Sequence, residues 1–287
     1  MMFIVATGDL SAQGPLQADL RASFVKVIER LATEVDGVVG YLVTDLTSGE
    51  RVAARLEREA FPTASTIKLS ILYEFLKQAD SGSLALDTPT PLNRTKVVGG
   101  DGVLQYLTTP SLSLRDHVAL MIIISDNSAT NVIIDTVGMQ NVNARMDELG
   151  LSDIRLRRKM MDAAAAKRGD ENVASPASLA RLAELLWRGE GPRPETKDAG
   201  LKLLRQVGGQ IRAGVPAAVT VFSKTGNLPG VRTEAAVVEV AGRPFSLAVM
   251  TSYLARDADG ETVTREIASA TWSYFDRLAR GGAYGRK

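Results

Sequence analysis

Hydrophobic residues alternate at both ends of this chain and recur at helical spacing between them. Gly37 to Asp45 (VVGYLVTD after the glycine) reads as a strand, Thr47-Ser48-Gly49 as a turn, and Arg51 to Leu56 as its hairpin partner. From Val219 the period is two again. Val219–Thr225, Thr233–Val240 and Phe245–Tyr253 are expected strands, the last two joined through Ala241-Gly242-Arg243-Pro244. Between these ends the spacing predicts helices over 65–79, 113–125, 128–137, 140–148, 176–189 and 195–207, with loops over 80–111 and 152–175. Helices over 16–33 and Val263–Leu278 complete the pattern. Strand sequence at both ends is most simply satisfied by one shared sheet. The expected class is therefore α/β (α+β): an antiparallel sheet built from both termini, flanked by helices, with an inserted all-α lobe. The expected division of this single domain is an α/β lobe from 1–60 and 215–287 and a helical lobe over 61–214, with the cleft between them as the natural site.

The residue types present narrow the chemistry. The 287 residues include no cysteine, which excludes disulfides, thiolate nucleophiles and iron–sulfur ligation. One histidine, His117, lies in an apolar helical run and reads as structural; a histidine metal cluster is excluded. No metal and no cofactor are expected. The net charge of +1 gives no electrostatic case for nucleic acid. No stretch approaches the roughly 20 apolar residues of a membrane span. The apolar start, Met1 to Ala6, is too short for a signal peptide's core. The expected localisation is cytoplasmic, or periplasmic or secreted if an export signal has been removed, and the expected state is a monomer.

Three short clusters carry candidate chemistry. Ser65-Thr66-Ile67-Lys68 opens a helix, with serine and lysine one turn apart on one face. A lysine among apolar neighbours has a lowered pKa, and a neutral amine can take a serine's proton. Read alone, the cluster also fits a helix cap followed by a solvated lysine. Ser125-Asp126-Asn127 ends a strongly apolar helix that starts with a capping box at Ser113 and Asp116. It suits a loop aimed into a cleft, or a plain helix-to-helix turn capped by Asn127 or Ser125. Lys224-Thr225-Gly226 ends a strand, where glycine lets backbone approach a ligand closely.

S-x-x-K, S-D-N and K-T-G occur in that order, 60 and 99 residues apart, on a helix start, a helix end and a strand. With the longer strings from Ile124 to Asn131 and from Ser223 to Asn227, the chain resembles the serine β-lactamase and penicillin-binding protein superfamily, in its class A β-lactamase branch. The resemblance runs from about Gly40 to the C-terminus. It implies a β-lactamase/transpeptidase-like fold and a hydrolase that opens the β-lactam amide through an acyl-Ser65 intermediate. It implies that Lys68 is the base or its relay, and that Ser125 passes a proton to the leaving nitrogen beside Lys224. Asn127 would hold Lys68 and the acyl amide, and Thr225 the substrate carboxylate. The N–H groups of Ser65 and Asn227, next to Gly226, would form the oxyanion hole. A small β-lactam or peptidoglycan-like molecule is the implied partner. A D-Ala-type peptidase or esterase, or a penicillin-binding module that does not turn over, fits the same motifs.

One departure stands out. The family's loop glutamate, which activates the deacylating water, has no match in E-x-x-x-N form; counting back from Pro176 puts Lys159 in its place. Asp170 and Glu171 are expected to tie the loop to its arginines, which leaves Asp162 as the candidate deacylation base and slow deacylation as the expectation. Arg232 is expected either to pair with a substrate carboxylate or to sit solvated at a strand end.

Overall fold

The structure, a computed structural model, describes residues 14–108, 110–282, 285 and 286. The apolar start at Met1 to Ala6 lies outside the described residues. Helix α1 (Pro15–Thr33) begins with proline in its first turn, where the missing N–H costs nothing. Strands β1 (Val38–Asp45) and β2 (Arg51–Arg55) form the expected hairpin. After β3 (Phe61–Pro62) come a 3₁₀ turn (Ala64–Ile67) and α2 (Lys68–Asp80). The segment 80–111, expected as loop, contains β4 (Thr90–Pro91), which pairs with β5 (Ser111–Leu112). Helices α3 (Leu114–Ile123), α4 (Asn127–Val137) and α5 (Met139–Glu148) follow. The second expected loop holds a short helix, α6 (Ala163–Lys167), and β6 (Val173–Ala174), paired with β3. Then come α7 (Pro176–Arg188), α8 (Pro194–Leu204), α9 (Gln210–Ala213), β7 (Thr220–Leu228), β8 (Val231–Glu239), β9 (Phe245–Ser252) and α10 (Asp257–Arg280).

The main sheet is antiparallel with order β2-β1-β9-β8-β7, so strands from the two ends of the chain lie side by side at β1 and β9. Strand alternation divides its side chains between two cores. Val39, Tyr41 and Val43 of β1, with Phe245, Leu247 and Val249 of β9, pack with α1 and α10. Leu42, Ala248 and Met250 face the helical side, where α2, α4 and α7 supply Ile71, Leu72, Ile133 and Leu182. Two rings of α10 lock the first core: Phe275 stacks on Phe245 at 4.7 Å, and Tyr274 stacks on Phe24 of α1 at 4.7 Å.

Helix ends follow local chemistry. The capping box of α3 forms as expected between Ser113 and Asp116. Ser175 caps α7, and Gly189, at φ 75°, ends it. Helix α10 starts six residues before the expected Val263, because Asp257 and Asp259 favour its positive N-terminal end. His117 is buried, with Nδ1 against the Ser113 carbonyl at 2.8 Å. No helix among the described residues is long and apolar enough to cross a membrane.

Phe275 has no exposed surface. Phe275→Ala is expected to cost about 3–5 kcal/mol in urea unfolding, through lost burial and the cavity left against Phe245.

Candidate active site

Ser65, Lys68, Ser125, Asn127 and Lys224 come from three separate stretches of chain and meet in one cleft. Lys68 Nζ donates to the Ser125 carbonyl (2.7 Å), the Ser125 hydroxyl (3.0 Å) and Asn127 Oδ1 (3.1 Å). Lys224 Nζ reaches the same hydroxyl from the sheet side at 3.2 Å and donates to the Thr225 carbonyl at 3.0 Å. Both lysines are buried, at 0% and 1% exposure. Burial disfavours an ammonium. It takes the pKa of Lys68 well below the usual lysine range, and the charge of Lys224 adds to that; Asp101 and Asp126 oppose it. Lys224 is pushed down to about 8 by burial, against the attraction of Asp101 and Glu234. Glu234, buried on β8, is raised to about 7 by its own burial, although the N–H groups of Ile211 and Gln210 and the charge of Lys224 favour its anion.

Ser65 does not open α2 directly. It sits in the 3₁₀ turn ahead of it, and Lys68 is the first α-helical residue. Lys68 is bonded to Ser125 and Asn127, and no hydrogen bond among the described residues joins it to Ser65. Ala64 before the nucleophile candidate and Ser125 hold left-handed backbone, at φ 47° and 60°. Such conformations cost energy for residues with a Cβ and persist where surrounding contacts enforce them. The glycine of K-T-G has a steric reason: a Cβ on Gly226 would lie 2.7 Å from the Ser65 nitrogen and 2.6 Å from the Thr63 carbonyl. That close approach brings the N–H of Ser65 beside the end of β7, where Asn227 follows. Thr225, Gly226 and Asn227 line a cavity of about 210 Å³ with Ser65, Ser125 and Lys224.

Asp126, rather than Ser125 or Asn127, caps α4: its Oδ1 accepts from Ala129 N at 2.8 Å. Its Oδ2 accepts from Val103 N (2.7 Å) and Leu104 N (2.9 Å), clasping the loop around Gly99–Gly102 onto the S-D-N turn. Asn127 N donates to the Asp101 carbonyl at 3.1 Å, which fixes that loop from the other side.

The loop over 152–175 is pinned by two asparagines that sequence reading passed over. Asn131 clamps Met160, accepting from its N–H at 2.8 Å and donating to its carbonyl at 3.2 Å. Asn172 Oδ1 accepts from Arg157 N (2.7 Å) and Arg158 N (3.0 Å), and its own carbonyl takes Thr63 N at 2.9 Å. Met160 thereby lines a cavity of about 160 Å³ with Ser65 and Asn127. Lys159, the residue of the ungapped count, pairs instead with Asp135 of α4. The count fails because the register of this loop is set by Asn131. Asp162 is also corrected: its carboxylate caps α6 through Ala165 N at 2.9 Å, and it lines a different cavity, beside Lys159 and Asp135. Glu171 pairs with Arg158 and Asp170 with Arg168, as expected. Arg232 is neither free for a substrate carboxylate nor solvated. Its guanidinium is held by Glu261 (3.1 Å), Asp257 (3.1 Å) and the carbonyls of Leu228 and Val231. Tyr106 is 79% exposed and lines neither cavity at Ser65.

The model of the β-lactamase enzyme family matches residues 23–275. This chain belongs to that family. An imipenem-hydrolysing β-lactamase of Enterobacter cloacae is 29% identical over 260 residues, 88% of each chain. The solved structure of PBP-A superposes with a TM-score of 0.80 at 27% identity, covering 89% of this chain and 97% of that one. A point mutant of PBP-A has been seen as an acyl-enzyme complex with penicillin G. A β-lactamase from Sphaerobacter thermophilus gives a TM-score of 0.78 at 30% identity, covering 88% of this chain and 95% of that one. The antiparallel sheet with its helical lobe is thus the β-lactamase/transpeptidase-like fold.

Proposed function

We propose that the chain opens β-lactam rings by acylating Ser65 and that release of the acyl group limits its turnover. The observation that carries the reading is the convergence of two buried lysines on the Ser125 hydroxyl beside Ser65. Neutral Lys68 takes the Ser65 proton as Oγ attacks the lactam carbonyl. The developing oxyanion is received by the N–H groups of Ser65 and Asn227. The proton on Lys68 moves to Ser125 and from Ser125 to the leaving nitrogen as the C–N bond breaks. Lys224, as a cation, and the Thr225 hydroxyl hold the substrate carboxylate. The family membership and the imipenem-hydrolysing relative support the substrate class.

Deacylation needs a base for water. The loop over 152–175 lines the Ser65 cavity with Arg158, Met160, Met161 and Asn172 and brings no carboxylate to it; Asp101, from another loop, borders the cavity with its side chain exposed. Lys68, neutral again after acylation, is then the available base. A D-Ala-type peptidase on the same fold remains the second reading, favoured by that missing carboxylate. Hydrolysis of an acyl-D-Ala-D-Ala peptide faster than of penicillins would select it.

Intact-protein mass spectrometry after mixing with a penicillin tests the reading: an adduct of one acyl group is expected, absent in Ser65→Ala. An adduct persisting in Ser65→Ala overturns it. Acylation should follow a bell-shaped pH profile. On the acid side protonation of Lys68, whose pKa lies far below the usual lysine value, removes the base. On the alkaline side Lys224 loses its charge above about 8, so the rate should fall there. Stopped-flow mixing with a chromogenic cephalosporin should give a burst near one equivalent, then a slower steady rate. Met160→Glu places a carboxylate in the Ser65 cavity and should raise the steady rate about tenfold or more. It should also slow the burst, because a nearby anion raises the Lys68 pKa.

A further inference from the structure

The Gly99-Gly100-Asp101-Gly102 segment lacks the lysine and hydroxyl residue of a phosphate loop, and the motifs leave it without a role. The structure sets it at the mouth of the cleft. Gly100 and Gly102 hold φ of 84° and 105°, which residues with a Cβ rarely adopt. A Cβ on Gly102 would collide with Asp126, and a Cβ on Gly100 would lie 2.6 Å from Asn127 Nδ2. The Asp126 clasp, the Asn127 N–H on the Asp101 carbonyl and a 2.6 Å bond from Gln105 Nε2 to the Gly100 carbonyl fix this backbone. The Asp101 side chain itself is exposed and makes no hydrogen bond or ion pair among the described residues.

Asp101 lines both cavities that contain Ser65, and no other acidic residue lines either one. One cavity holds Ser125, Lys224 and Thr225, the side that suits the substrate carboxylate. The other is bounded by Met160, Met161 and Leu228, the space left for the acyl side chain. Arg158 also borders it, but its guanidinium is already paired with Glu171, so the uncompensated charge at this mouth is that of Asp101. Its reach into the site is evident at the lysines: its charge acts on both Lys68 and Lys224.

We propose that Asp101 selects substrates by the charge of their acyl side chain, favouring an ammonium and rejecting a carboxylate. The proposal rests on the β-lactam reading above. A carboxylate carried on a fixed backbone at a partly enclosed mouth attracts cations and repels anions over several ångströms, an effect that salt weakens.

Three penicillins with one phenylacetyl skeleton test it: benzylpenicillin, with hydrogen on the side-chain α-carbon; ampicillin, with an ammonium there; and carbenicillin, with a carboxylate. Acylation rate constants are measured for all three at one mildly acidic pH, where the amine is charged. Ampicillin should exceed benzylpenicillin, and benzylpenicillin exceed carbenicillin, by about fivefold at each step, and high salt should compress the series. Asp101→Asn should bring the three rates together, and Asp101→Lys should reverse their order. A role in merely tuning Lys68 or Lys224 would shift all three substrates by one factor and leave their ratios unchanged; that result overturns the proposal. An unchanged order in Asp101→Lys does so as well. If none of the three forms an adduct with the wild-type chain, the β-lactam reading fails first, and the proposal falls with it.

Discussion

Two lysine amines, 0% and 1% exposed, converge on one serine hydroxyl, and most of the cleft exists to make that tolerable. Two ammonium groups side by side in a water-poor interior repel each other and lose hydration. The structure resolves this by lowering both pKa values unequally. Lys68, taken well below the usual lysine range, is the one suited to be neutral; Lys224, near 8, is suited to keep its charge at neutral pH. Burial lowers both, and the charge of Lys224 lowers Lys68 further. Asp101 opposes the shift at both amines, Asp126 opposes it at Lys68, and buried Glu234 opposes it at Lys224 from the neighbouring strand, opposite Thr225 in the β7–β8 register. One amine suited to accept a proton and one suited to hold an anion thus arise from the same residue type.

That arrangement requires the three motifs to be fixed relative to one another, and the fixing groups are largely backbone acceptors and small residues. Gly226 permits β7 to approach the Ser65 nitrogen. The Thr63 carbonyl takes the hydroxyls of Thr66 (2.7 Å) and Thr233 (2.8 Å), which ties the 3₁₀ turn to the sheet. Asp126 spends its carboxylate on three N–H groups, so the middle residue of S-D-N is a brace between the two that face the cleft. The left-handed conformation of Ser125 is the cost of presenting its hydroxyl to both lysines.

The parts of this molecule that depend on short-range pattern were legible in the sequence. The alternating strands, the apolar helix faces and the Ser113–Asp116 capping box all express periods or spacings within a few residues. The meeting of Ser65, Lys68, Ser125 and Lys224 was legible through the resemblance of their spaced motifs. What could not be read was set by partners far along the chain. Arg232 is consumed by Asp257 and Glu261 on a helix whose first six residues carried no apolar signal. Asp162 looked unassigned because α6 is a single short turn of alanines, too small to show a period, yet it needs a cap. Lys159 and Met160 traded places because a loop's register is decided by its clamps, here Asn131 of α4, and not by counting from the next helix. Asp101 escaped because a Gly-Gly-Asp-Gly segment has no meaning until Asp126 folds it over the site.

The missing loop carboxylate and the neutral lysine can be understood as one adaptation. A carboxylate placed beside Lys68 would stabilise its ammonium and raise its pKa. The base for acylation would then need a second base to discharge it. Here the loop borders the Ser65 cavity with Met160, whose thioether carries no charge, and its acids are turned to arginines, to Ser178 or to a helix end. Lys68 therefore keeps a low pKa with only Asp101 and Asp126 to oppose it. The arrangement favours acylation, in which a neutral amine beside the nucleophile suffices. On the reading proposed above it disfavours deacylation, in which the same amine must reach a water across the acyl group it has just helped to attach; a loop that brings no carboxylate to the Ser65 cavity then leaves Ser65 reactive and its ester slow to hydrolyse.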